Sequence, residues 1–159
     1  MKIVTKIGQS IALLIIVPVV LVIAVPVLMI VAPLIFLYRC WLRINWELKW
    51  GRNGKRILLV YSRSPNWQEY IETNWVPKLR DVAVILDWSD RSVWPMPTPI
   101  EVRVFRHWGG KAEFNPLAIV FPLVGKVRVI RFWQPFKDYK HGKNDALRKA
   151  EEELFRLAN

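Results

Sequence analysis

From Ile11 to Tyr38 the chain reads IALLIIVPVVLVIAVPVLMIVAPLIFLY, 28 consecutive residues without a charged side chain. About 20 apolar residues suffice to cross a hydrocarbon core of roughly 30 Å, so this run is predicted to be a transmembrane anchor. The h-region of a secretory signal peptide is shorter, about 7 to 15 residues, and ends in small residues, which are missing here; the run is therefore expected to be retained. Pro18, Pro26 and Pro33 interrupt it. Each removes a helix hydrogen bond, so the expected shape is one kinked, tilted span, with a hairpin turning near Pro26 as the alternative. Lys2 and Lys6 precede the run, whereas Arg39, Arg43, Lys49, Arg52, Lys55 and Arg56 follow it. Positive residues stay on the cytoplasmic side, which places the rest of the chain there in either shape.

Of the 159 residues, about 120 lie beyond the anchor, enough for one domain with a core but not for two. The expected organisation is a short N-terminal segment (1–10), the anchor (11–38), an interfacial collar or linker (39–54) and a soluble domain (55–159). The single cysteine, Cys40, excludes an intramolecular disulfide and a cysteine-rich zinc site. A formal net charge of +11 points to polyanions, with anionic lipid as the first expected partner. Nucleic acid has no supporting motif. No cofactor signature is present.

The segment RCWLRINWELKW carries Arg39, Trp41, Arg43, Trp46, Lys49 and Trp50, residue types that gather at membrane interfaces, and it forms the expected collar. Its alternation from Ile44 to Trp50 fits a strand equally well. Beyond it, RILLVYS (56–62) is a short apolar run of the buried-strand type. Ser64 and Pro65 then supply an N-cap and a first-turn proline for a helix of about fourteen residues carrying Trp67, Tyr70, Ile71, Trp75 and Leu79 on one face, bent or ended by Pro77. Val82–Asp87 is a second strand, and Trp88–Pro97 a loop. Thr98-Pro99-Ile100-Glu101 matches a capping box opening a helix of about ten residues, stopped by Gly109-Gly110. Leu117–Phe121 and Lys126–Trp133 read as two strands joined through Gly125, hence antiparallel. A basic loop from Lys137 to Lys143 precedes a last helix capped by Asn144, with Leu147, Leu154 and Leu157 inward and Glu151, Glu152 and Glu153 on its solvated side.

The soluble part thus reads βαβαββα, an α/β domain with a mixed four-stranded sheet behind an N-terminal transmembrane helix. That order resembles thioredoxin-like domains. Asn115-Pro116-Leu117-Ala118-Ile119-Val120-Phe121 is similar to the segment entering the third strand of that family, and the resemblance implies a cis proline at Pro116. Active members carry Cys-x-x-Cys at the start of the first helix, where this chain has Ser62-Arg63-Ser64-Pro65-Asn66-Trp67. Serine cannot form the mixed disulfide of thiol exchange, so the resemblance implies a redox-inactive module.

Candidate sites follow from position. Arg63, Ser64 and Asn66 stand at the start of the first helix, where free N–H groups and the helix dipole attract anions. Asp87 and Asp90, at the end of the second strand, are weak candidates for a metal or base. Pro65, Trp67, Trp88, Trp94 and Pro116 are expected to form a rim that binds a protein partner. His107 and His141 belong to no triad spacing. The expected function is a membrane-anchored binding or scaffold module; the alternatives are a membrane-bound enzyme acting on a phosphorylated or anionic substrate, with Arg63 and the two aspartates at its centre, and an accessory subunit of a membrane complex.

Overall fold

The structure, a computed structural model, describes residues 2–110 and 115–158, with side chains described at Val22 and from Ala24 onward within those ranges. The side chains of Lys2, Lys6 and Pro18 lie outside the described set, as does Asn159. The chain divides into two compact units, Met1–Trp41 and Leu42–Asn159.

Helix α1 spans Lys2–Lys49. It runs through Pro26 and Pro33 without a turn, so the hairpin alternative is not formed. By length and composition it fits a membrane span, a test that a signal sequence also passes. Among the described residues of the first unit its large apolar side chains are exposed, Met29 at 73%, Phe36 at 63% and Leu37 at 61%.

The second unit is α/β. Strands β1 (Ile57–Tyr61), β2 (Ala83–Asp87), β3 (Leu117–Val120) and β4 (Arg128–Arg131) form an open mixed sheet in the order β2-β1-β3-β4. β1 and β2 are parallel, with Ile57 beside Ala83 and Tyr61 beside Asp87. β3 runs antiparallel to both β1 and β4. The continuous apolar run of β1 is explained by this central place, because side chains at period two must be covered on both faces. Ile57, Leu59 and Tyr61 face one core, with α2 (Gln68–Asn74), α3 (Val76–Leu79), α5 (Trp133–Lys140) and α6 (Asp145–Ala158) packed on that side. Leu58 and Val60 face a second core, covered by α4 (Ile100–Gly109) and by the end of α1. The Asn115–Pro116 peptide entering β3 is cis, and so is Met96–Pro97.

Four local expectations are corrected. The collar is neither a linker nor a strand: Leu42 and Trp46, one helical turn apart, are wholly buried, and the compact unit begins at Leu42 rather than at Lys55. Trp46 stacks on Phe121 with ring centroids 4.7 Å apart and donates its indole N–H to the Lys55 carbonyl at 3.2 Å, while Glu47 takes both arms of the Arg56 guanidinium at 2.7 and 3.1 Å. The helix after Pro65 begins only at Gln68 and breaks at Trp75, because Pro77 has no N–H to return to residue 73. The capping box does not close: Pro99 is the N-cap, the Thr98 hydroxyl turns to Met96 Sδ, and Glu101 is drawn away to Lys49 and Trp50. β4 ends at Arg131, and residues 133–140 form helix rather than strand and loop. Phe132 and Phe136, four apart, are both buried by a helical turn, and Pro135 falls in the first turn, where its missing N–H costs nothing.

The acidic run of α6 is also more than a solvated face. Glu151 accepts from Tyr70 Oη at 2.9 Å and from Nε1 of the fully buried Trp75 at 2.6 Å, tying α6 to α2 across the core.

Two predictions follow from this packing, each measured by urea unfolding of the full chain in mild detergent with far-UV circular dichroism. Trp46→Ala should destabilise the second unit by about 3–5 kcal/mol, whereas Trp41→Ala should change it by less than about 0.5 kcal/mol. Glu151→Ala, which strands a buried indole N–H, should cost about 1–3 kcal/mol, and Glu151→Gln less, because an amide oxygen can still accept.

Candidate functional site

The carboxyl ends of β1 and β2 lie side by side, so the segment leaving Tyr61 meets the one leaving Asp87. Arg63 is placed there by the turn after β1 and joins the two. Its backbone N–H donates to Ser89 Oγ at 2.8 Å, its Nε donates to Asp87 Oδ2 at 2.7 Å, and its Nη2 reaches Asp90 Oδ1. Asp87 Oδ1 in turn accepts from the Ser89 N–H at 2.8 Å, opening the 3-10 turn Trp88–Asp90. The hydrogen bonds Arg63 donates to Asp87 and then to Asp90 push its pKa above the ordinary value. The anion-binding candidate and the two metal candidates are thus brought together as partners of one another. One guanidinium facing two carboxylates leaves the cluster with a net negative charge, so Arg63 is engaged by acids here rather than open to an anion. Among the described residues, no three His, Cys, Asp or Glu side chains converge as a metal site would require.

Ser64 and Asn66 serve the turn itself. The Ser64 carbonyl accepts from Gln68 N–H at 2.9 Å, its hydroxyl accepts from Asn66 N–H at 3.4 Å, and Asn66 Oδ1 accepts from Lys140 Nζ. The sheet divides the expected rim. Trp67 packs against the α5 side, with its indole N–H on the Ser62 carbonyl at 3.2 Å, whereas Trp88 and Trp94 pack on the α4 side. Pro65 is exposed, and Pro116 is buried and contributes no surface. Arg91 lies over the Trp88 ring at 3.8 Å and Arg106 over Trp94 at 5.8 Å. The same loop exposes Val93 at 75% and Met96 at 85%. Of the proposed interface residues, Trp41 is exposed in the first unit, while Arg43, Trp46, Lys49 and Trp50 turn into the second.

A pocket of about 210 Å³, absent from the sequence reading, lies between the turn before α2 and α5, lined by Asn66, Trp67, Trp133, Phe136, Lys137 and Lys140. The signal for it was the spacing of Trp133, Phe136 and Lys140, which is helical and was masked by the β-prone residues just before it. Beneath it, Tyr70 packs edge-on against Phe136 with centroids 5.5 Å apart. Glu101 was likewise unread as a structural acceptor: only 7% exposed, it takes Lys49 Nζ at 2.7 Å and the Trp50 indole N–H.

Compared with protein-family models, with curated proteins and with solved structures, the chain has no match.

Two tyrosines near this end of the sheet are held protonated. Burial, then the neighbouring Glu72 carboxylate, raises Tyr61 to about 12, and burial, then its hydrogen bond to Glu151, raises Tyr70 to about 12. Unfolded tyrosine ionises near about pH 10, so the folded state binds more protons than the unfolded one between there and about pH 12. Stability from these two groups is therefore complete below about pH 10 and should be lost as the pH rises toward 12. Spectrophotometric titration of tyrosinate should resolve a late phase near pH 12 that Tyr61→Phe and Tyr70→Phe each diminish.

Proposed function

We propose that this chain is a membrane-tethered binding module, with a thioredoxin-like, thiol-free domain held at the cytoplasmic face by α1. The observation that carries the tether is the exposure of the large apolar side chains along α1, from Val22 at 73% to Leu37 at 61%, a surface that calls for a hydrocarbon solvent. The strand order β2-β1-β3-β4, with one parallel and two antiparallel pairs, supports the thioredoxin-like assignment. The excess of Lys and Arg after the apolar run supports the cytoplasmic side.

Binding is favoured over catalysis by the Arg63 clasp, in which the candidate anion-binding and carboxylate groups are spent on each other. The partner surface is the loop from Trp88 to Pro97, in which exposed Val93 lies between two arginine-capped tryptophans and exposed Met96 follows the second. Apolar contact flanked by guanidinium groups suits a protein partner with an acidic rim.

The tether is tested by alkaline carbonate extraction of membranes from cells expressing the full chain, which should leave the protein in the pellet; release to the supernatant would overturn it. Sidedness is tested with Lys143→Cys, an exposed position, in a Cys40→Ser background. An impermeant maleimide should label that variant only after the cells are opened, and labelling of intact cells would place the domain on the other side. The partner surface is tested by a photoreactive side chain at Met96, which should give a discrete adduct that Arg91→Glu weakens.

A further inference from the structure

The hairpin joining β3 and β4 ends in Pro122-Leu123-Val124-Gly125-Lys126. Leu123 is 77% exposed and Val124 89% exposed, the latter the most exposed large apolar residue described. A single exposed leucine or valine is ordinary on a protein surface; what distinguishes this pair is how it is held and where. Arg43 brackets the tip, donating from Nη1 to the Gly125 carbonyl at 2.7 Å and from Nη2 to the Pro122 carbonyl at 2.8 Å. Gly125, the second acceptor, sits at φ +103° in this turn. The apolar pair is thus presented on a fixed loop.

Arg43 follows Tyr38, the last residue of the apolar run, by five positions. Five residues span about 7.5 Å as helix and no more than about 17 Å in any conformation, so the tip stands within reach of the place where the chain leaves the hydrocarbon. The headgroup layer is about 5–7 Å deep on each side, and it accommodates an apolar side chain beside a cation. From Asn115 to Trp133 the chain has no acidic residue; Lys126, next to the tip, is basic and exposed, while Arg128 lies 3.8 Å from Glu153.

We infer that the Leu123–Val124 tip is a second membrane contact, entering the boundary between headgroups and acyl chains while Lys126 meets anionic headgroups. This rests on the tether proposed above.

The test uses the full chain in a Cys40→Ser background, reconstituted into vesicles of phosphatidylcholine and phosphatidylglycerol. An environment-sensitive fluorophore is attached at Val124→Cys or, as a control, at Lys143→Cys, beyond α5 on the opposite face of the sheet. Both sites are exposed, so neither substitution disturbs the core. Lipids carrying a nitroxide at a shallow acyl position should quench the label at 124 and shift its emission to the blue, while the label at 143 keeps its intensity. Adding Lys126→Glu should lower the quenching at 124. Equal, unquenched signals at both positions in protein that withstands alkaline extraction would overturn the hairpin contact and leave the tether standing. Protein that the alkaline wash strips from the vesicles would overturn both.

Discussion

The stacking of Trp46 on Phe121, with Leu42 one turn earlier beside it, is the contact on which the second unit is built. A central strand such as β1 must be covered on both faces, and α4, ten residues long, is the only helix that the segments after Lys55 place in the core on that side among the described residues. The end of α1 supplies the rest of the cover. Its polar side chains then tie it down in three directions: Arg43 to the β3–β4 turn, Glu47 to Arg56 at the start of β1, and Lys49 with Trp50 to Glu101 on α4. A sequence that resembles the flank of a membrane anchor is therefore part of a globular core. The tryptophan expected at the interface is wanted inside because its large ring fills the space over Phe121 while its N–H finds the Lys55 carbonyl.

Carboxylates are scarce in this chain, 13 against 24 Lys and Arg, and the structure spends several of them internally. Asp87 and Asp90 hold Arg63, Glu101 holds Lys49 and an indole, and Glu151 holds Tyr70 and Trp75. Acids used as structural acceptors are not available as bases or ligands, and the basic residues left over dominate the surface. With 24 Lys and Arg against 13 Asp and Glu, the charge left over is positive.

Elements with a strong local signature were legible from sequence. The run ILLVY, the alternation before and after Gly125, and the apolar stripe of α6 each mark an element whose residues contact their sequence neighbours or repeat at a fixed period. Legibility failed where two local signals competed. Trp133 followed four β-prone residues and was taken with them, although Phe132 and Phe136 share a helical face. Thr98 and Glu101 have capping-box spacing, but the half-buried Trp50 N–H and the Lys49 ammonium hold the glutamate instead.

The sequence by itself determined that the chain has one long apolar helix, four strands in a βαβ-then-hairpin order, and no thiol pair at the head of its second helix. Those properties follow from composition and short-range periodicity, which backbone geometry converts directly into elements. Only the tertiary structure decided that Trp46 turns inward, that Arg63 closes on aspartates 24 and 27 positions away, and that Glu151 meets an indole 76 positions before it. Such partners are chosen by which buried donor is left unsatisfied once the layers pack, and that is a property of the assembled core rather than of any stretch of chain.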